Sequence, residues 1–239
     1  MLKTTAKLHI LPYILSIESS GIICSVALYR NEELADCIES TEPNVHGEKL
    51  AVFIDEILKK NSLSPSDLSA IAVSAGPGSY TGLRIGVSVA KGMCYALSIP
   101  LISIDTLKSL AYAMQITQET FDKDTVFLPM IDARRMEVYL AGFDTNLNKI
   151  LMTKPVILDE EFYSGLQKTL TYFIAGSGAN KVNYDIEGLN IIKKEEIGLT
   201  AKHIGALALA KYMKKEFEDV AYFEPVYLKE FAMILPEKR

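Results

Sequence analysis

The sequence predicts an α/β protein of two lobes related by duplication, and three observations carry that expectation. A strand-turn-strand pattern, "ILSIESSGIICSVALY" from 14 to 29, is echoed by "LPMIDARRMEVYLAGF" from 128 to 143. An apolar strand breaking on glycine, "IAVSAGPGS" from 71 to 79, is echoed by "TYFIAGSGA" from 171 to 179. Both echoes come in the same order, with helical periodicity interspersed, as a repeated unit of helices on a sheet requires.

The elements follow in order. Tyr13 to Ile17 reads as a buried strand, and the small residues 19–21 turn the chain into a second strand, Ile22 to Tyr29. From His46, the apolar residues Leu50, Phe53, Ile54, Ile57 and Leu58 repeat at helical spacing to about Lys60. Ile71 to Ala75 is apolar enough for a strand buried on both faces. Gly76, Pro77 and Gly78 stop it, and Ser79 and Thr81 offer capping hydroxyls before a helix that Gly82 opens and that runs to Leu97. A strand, Pro100 to Ile104, and a helix from Thr106 to about Ile116 follow. The polar run 117–124 suits a boundary, after which the pattern restarts with the second hairpin. Thr200 caps a last helix to about Lys215, whose terminal lysines suit the negative end of the helix dipole. The aromatic tail 222–230 is expected to be extended and to cover apolar surface. The lobes are placed at 1–107 and 108–239, with the C-terminal segment packing back on the first.

Composition bounds the function. The chain has 239 residues, 49% of them hydrophobic, ample for a core. Its net charge of −5 argues against the broad positive surface of an autonomous nucleic-acid binder. Three cysteines, Cys24, Cys37 and Cys94, have no metal-ligand or redox spacing, and their odd number suits free thiols in the cytoplasm. The lysines and apolar residues at the start mimic a signal sequence, but Pro12 interrupts them and the run enters a strand pattern, so a short N-terminal extension is expected. No apolar run is long enough for a membrane helix.

Candidate chemistry is sparse. Free N–H groups at the helix start make Gly76, Gly78, Ser79 and Thr81 candidates for holding a phosphate; an ordinary tight strand-to-helix turn explains the same residues, and the P-loop ending is missing. Gly82, Gly86 and Ala90 recur every fourth residue. They suit either close packing of the helix on its own sheet or, with Val89 and Met93, a subunit interface. His9, His46 and His203 form no helical metal pair. Glu18 and Asp132 occupy matching places in the two hairpins, where they are either turn residues or carboxylates facing a shared cleft. No catalytic residue, firmly bound cofactor or metal ligand is assigned.

The motifs "AVSAGPGSYTGLRIGVSVAKG" at 72–92, "ILSIESSGIICSVAL" at 14–28, "DARRMEVY" at 132–139 and "PVYLK" at 225–229 resemble the bacterial TsaB family, also called YeaZ. The first is highly specific, and together they span most of the chain in family order. The resemblance implies two actin-like lobes of the ASKHA and ribonuclease H kind. It also implies the non-catalytic dimerisation subunit of the complex that installs threonylcarbamoyl on an adenosine beside the anticodon of tRNA. The implied partners are a TsaD-type catalytic subunit, a TsaE-type ATPase, and tRNA through the complex; apolar surface left over on the second helix points to docking of the catalytic subunit through the helices at about 46–60 and 82–97. ATP and threonylcarbamoyl-adenylate would serve the complex, and the chain alone could pair with its own copy. In the catalytic relative two histidines four residues apart hold the metal; their places here fall on Thr106 and Leu110. Glu18, Tyr80 and Lys229 stand where the family usually has aspartate, phenylalanine and arginine. The competing expectations are a glycoprotease-like metallopeptidase and an ASKHA small-molecule kinase.

Overall fold

The structure, a computed structural model, describes residues 11–43, 45–182, 186–194 and 196–229. His9 and all but the last two residues of the expected N-terminal extension lie outside the described residues.

The first lobe contains β1 (Tyr13–Glu18), β2 (Cys24–Arg30), β3 (Glu33–Ser40), α1 (His46–Lys60), β4 (Ala70–Ser74), α2 (Tyr80–Leu97) and β5 (Leu101–Ile104). The strands lie in the order β3-β2-β1-β4-β5; β1, β2 and β3 run antiparallel, whereas β4 and β5 join β1 in parallel. Strand periodicity decides which side chains face which layer. Leu15 and Ile17 of β1 pack with Leu50, Phe53, Ile54 and Ile57 of α1 and with Val87, Ala90 and Cys94 of α2. Ile14 faces the other way, with Ala27, Tyr29, Ala72 and Ile102.

The second lobe repeats this topology strand for strand. β6 (Thr125–Asp132), β7 (Glu137–Phe143), β8 (Lys149–Ile157), β9 (Thr171–Ala175) and β10 (Asn190–Lys194) form a sheet in the order β10-β9-β6-β7-β8. β6 pairs antiparallel with β7 and parallel with β9, as β1 does with β2 and β4. The preceding helix, α3 (Thr106–Gln115), covers one face, where Leu107, Leu110, Ala111 and Met114 meet Phe127, Phe143 and Phe173. The short α4 (Glu160–Ser164) and a 3-10 turn at Ala179–Lys181 lie over the opposite face. Thus the change of sheet falls at the β5–α3 junction.

The last helix, α5 (Ala201–Lys214), returns to the first lobe. Ala201, Ile204 and Ala208 close the face of the first sheet that α1 and α2 leave open. Its Gly205 lies so close that a Cβ there would sit 2.4 Å from the Tyr29 ring. The tail also returns: Glu218 bridges to Leu101, Phe223 packs against the core beneath α1 and α2, and Val226 N–H donates to Ala75 at 2.8 Å. No helix among the described residues is long and apolar enough to cross a membrane.

Candidate functional site

Each lobe places a carboxylate at the end of its first strand and a glycine just past its fourth. Glu18 ends β1 and Asp132 ends β6; Gly76 and Gly176 follow β4 and β9 with φ of 103° and 100°. That left-handed backbone favours glycine, and both sites are also too crowded for a side chain. A Cβ on Gly76 would lie 2.6 Å from Val226 O, and one on Gly176 would lie 2.3 Å from Met130 O. After Gly76 the chain enters the 18-residue α2, but after Gly176 only the three-residue 3-10 turn. The duplication is therefore complete in the sheets and eroded in the helices.

Around Gly76 several backbone donors have protein partners. Gly76 N–H donates to Thr106 Oγ1 at 3.0 Å, and Thr106 N–H returns a bond to Gly76 O at 3.0 Å. Ser79 N–H donates to Ser20 O at 2.7 Å, while its Oγ accepts from Gly82 N–H and caps α2. Gly78 abuts Ser20, whose Cβ is 2.6 Å from the point a Gly78 Cβ would occupy. Thr81, the other expected cap, is exposed in the first turn. The first hairpin and the tail thus pack directly against Gly76 and Gly78 of this turn.

Glu18 is fully buried. Its Oε1 accepts from Ser20 N–H and Oγ, each at 2.6 Å, and from Ser74 Oγ at 3.0 Å, while Oε2 has no partner. Burial pushes its pKa up, against these hydrogen bonds, which pull it down. Because the folded value lies above the unfolded one, the stabilisation is full below the ordinary carboxylate range and is lost as pH rises through the raised value. Glu18→Gln keeps an acceptor for the three donors and is expected to abolish this slope, checked by denaturant unfolding from about pH 4 to about pH 8. Burial, with Glu18 as a second cause, also lifts the Cys24 thiol to about 11, and burial takes Cys37 and Cys94 to about 12. All three are free thiols held in the unreactive protonated form.

The matching carboxylate is treated differently. Asp132 is exposed, and its Oδ1 accepts from Arg134 N–H at 2.6 Å and Lys181 Nζ at 2.5 Å. Burial would raise its pKa, but Lys181 and the Arg134 amide outweigh it and hold it low. The hydrogen-bond partners of Glu18 Oε1 and of Asp132 all come from their own lobes, and no hydrogen bond joins the two carboxylates among the described residues. Their turn reading fits better than a shared cleft. His46 lies on α1 and His203 on α5, which cover opposite faces of the first sheet. Among the described residues no group of three His, Cys, Asp or Glu is arranged to hold a metal.

The interface assignment needs correction. Gly82, Gly86 and Ala90 are buried against the chain's own β1 and first hairpin, so they are not surface residues. Ser19 is the reason: Cβ atoms on Gly82 and Gly86 would lie 2.0 Å from its O and 2.2 Å from its Oγ. Ile85, Val89 and Met93 are half-buried along the edge of the core, and the exposed side of α2 carries Gly92, Ala96 and the 83% exposed Tyr95 together with Arg84 and Ser88. On α1, Ala51 and the 56% exposed Val52 are also exposed apolar residues. Helical spacing revealed the small-residue stripe but could not say which side met the sheet.

The twice-used sheet order, with paired strand-end carboxylates and left-handed glycines, defines a two-lobed protein of the duplicated ribonuclease H, actin-like kind. The family model described as "TsaD: tRNA N6-adenosine threonylcarbamoyltransferase" matches residues 42–163. The "tRNA threonylcarbamoyladenosine biosynthesis protein TsaB" of Escherichia coli (strain K12) is 28% identical, over 90% of this chain and 94% of that protein. Its namesake from Bacillus subtilis (strain 168) is 30% identical, over 90% and 93%. The solved structure of YeaZ from Pseudomonas aeruginosa aligns with a TM-score of 0.77 at 22% identity, covering 91% of this chain and all of that one. The chain belongs to the TsaB family.

Proposed function

We propose that the chain acts in tRNA threonylcarbamoyladenosine biosynthesis as a non-catalytic scaffold that docks a TsaD-type catalytic subunit on the outer face of α1 and α2. The observation that carries this reading lies at Thr106 and Leu110, the places corresponding to the paired histidines. Thr106 Oγ1 is buried and occupied by Gly76 N–H, and Leu110 is a fully buried core residue. A leucine has no donor atom, so this pair offers a metal no substitute for two imidazoles.

The match of the TsaD-type family model to residues 42–163, which include both α1 and α2, supports the choice of partner. Apolar residues left exposed on two neighbouring helices give the physical motive. A TsaE-type ATPase, tRNA, ATP and threonylcarbamoyl-adenylate enter this reading through the assembled complex, and the same face can pair two copies when the partner is missing.

Val89→Asp and Met93→Asp are each expected to weaken association with the catalytic homologue by about tenfold or more, measured by titration calorimetry. Bulky residues at Gly86 or Ala90 would disturb the fold and do not test the interface. Reconstituted tRNA modification with and without the chain decides the larger question. Full modification in its absence would refute the scaffold role.

A further inference from the structure

The hairpin turn between β6 and β7 presents two arginines on an exposed surface. Arg134 and Arg135 both have left-handed backbones, with φ of 73° and 49°, in a turn closed by Ala133 N–H to Glu137 O and Glu137 N–H to Arg134 O. Such angles are uncommon for residues with side chains, and a turn needing them would ordinarily carry glycine or asparagine. Arginine in both places points to something gained by the side chains.

The charges around the turn show what that is. Lys181 pairs with Asp132 and also donates to Glu137 O at 3.1 Å. Lys229, from the returning tail, pairs with Glu137 and donates to Ala133 O at 3.2 Å. The two carboxylates that flank the arginines in the turn, Asp132 and Glu137, are therefore each matched by a lysine, and both lysines also brace the turn's backbone. Neither arginine side chain has an ion pair or hydrogen bond among the described residues. On a chain with net charge −5, the turn is a local, rigidly supported point of positive charge.

We propose that the Arg134–Arg135 turn contacts the phosphodiester backbone of an RNA, using two guanidinium groups whose planar donors match phosphate oxygens. This rests on the proposed role in tRNA modification, which supplies the RNA. A pair of arginines without stacking partners reads no sequence; it sets the position of an RNA held elsewhere in the assembly. An acidic protein segment is the competing occupant and is decided by the same experiment.

The test uses the full chain assembled with its catalytic homologue and measures tRNA binding against salt concentration. Arg134→Ala combined with Arg135→Ala is expected to weaken binding severalfold and to lower the slope of log K against log salt by about 1 to 2. A second variant, Arg134→Gly with Arg135→Gly, relieves the backbone and is expected to be more stable than the parent yet equally defective in binding. That combination excludes unfolding as the cause. An unchanged salt slope in both variants overturns the proposal, as does competition by an acidic peptide but not by a tRNA-sized RNA. If modification still depends on the chain in those cases, only the RNA contact has failed. If wild-type modification proceeds without the chain, the underlying role has failed instead.

Discussion

Gly82→Ala is expected to destabilise the protein by about 3 kcal/mol before helix propensity returns about 1 kcal/mol, a net loss that lowers Tm by several degrees. The added Cβ would arrive 2.0 Å from Ser19 O, a backbone atom that cannot rotate away. Ser19 is held on both sides, since its Oγ donates to Gly82 O at 2.8 Å and the next residue's carbonyl accepts from Ser79 N–H. To admit one methyl group, α2 must therefore lift from β1 or the first hairpin must deform, and either opens the space between Val87 and Ile17. Gly92→Ala on the same helix is the control. A Cβ there meets nothing within 4 Å, so that variant is expected to gain up to about 1 kcal/mol. Thermal unfolding of both variants checks the pair; equal effects would show that helix propensity, and not contact with Ser19, governs.

His203 sets the second large effect. Burial, reinforced by the charge of Lys202 and opposed by Glu39, lowers its pKa from 6.5 to about 4. Its Nδ1 has no hydrogen-bond partner, and its ring meets Tyr112 of α3 edge-on at 6.3 Å. With the folded value depressed, the stabilisation is complete above pH 6.5 and is lost as pH falls towards 4, because the unfolded chain takes up the proton more readily. The loss amounts to about 2 kcal/mol after allowance for partial exposure. His203→Phe retains a ring against Tyr112 and is expected to remove this acid sensitivity. A denaturation midpoint that falls as steeply with acid in the variant as in the parent would place the titration elsewhere.

Local signals make much of the architecture legible in the sequence. The α1 stripe at Leu50, Phe53, Ile54, Ile57 and Leu58 is buried as its spacing requires. Ser79 and Thr200 cap the helices they precede, although Thr81 does not. Strands that carry no consistent alternation were harder to see. β3, "ELADCIES", lies at a sheet edge with most residues exposed or half-exposed, and β8 mixes Lys149, Lys154 and Pro155 with apolar residues at the other sheet's edge. Edge strands bury too little to write a period into their sequence.

The site was less legible for a different reason. How closely the Gly76 turn is packed depends on Val226 and Ser20, distant in sequence and brought there by tertiary packing. The outward side of α2 likewise depends on Ser19, which no periodicity in the helix can indicate. Comparing the halves points to the strand-end pair Glu18 and Asp132 and to the glycines after β4 and β9, yet burial makes one carboxyl neutral in tendency and leaves the other salt-bridged.

The return of α5 to the first sheet has a consequence during synthesis. Ala201 N–H bonds Ser25 Oγ across 176 residues, and the helix it starts is the cover for Ile14, Tyr29, Ala72 and Ile102. At about 5 to 20 residues per second, a ribosome needs on the order of ten to thirty seconds to make the intervening chain. Throughout that interval one side of the nascent first lobe has no lid, although α1 and α2 can already cover the other. The emerging polypeptide must pass through a half-covered state whose wet apolar side is open to chaperones, to aggregation or to a neighbouring nascent chain.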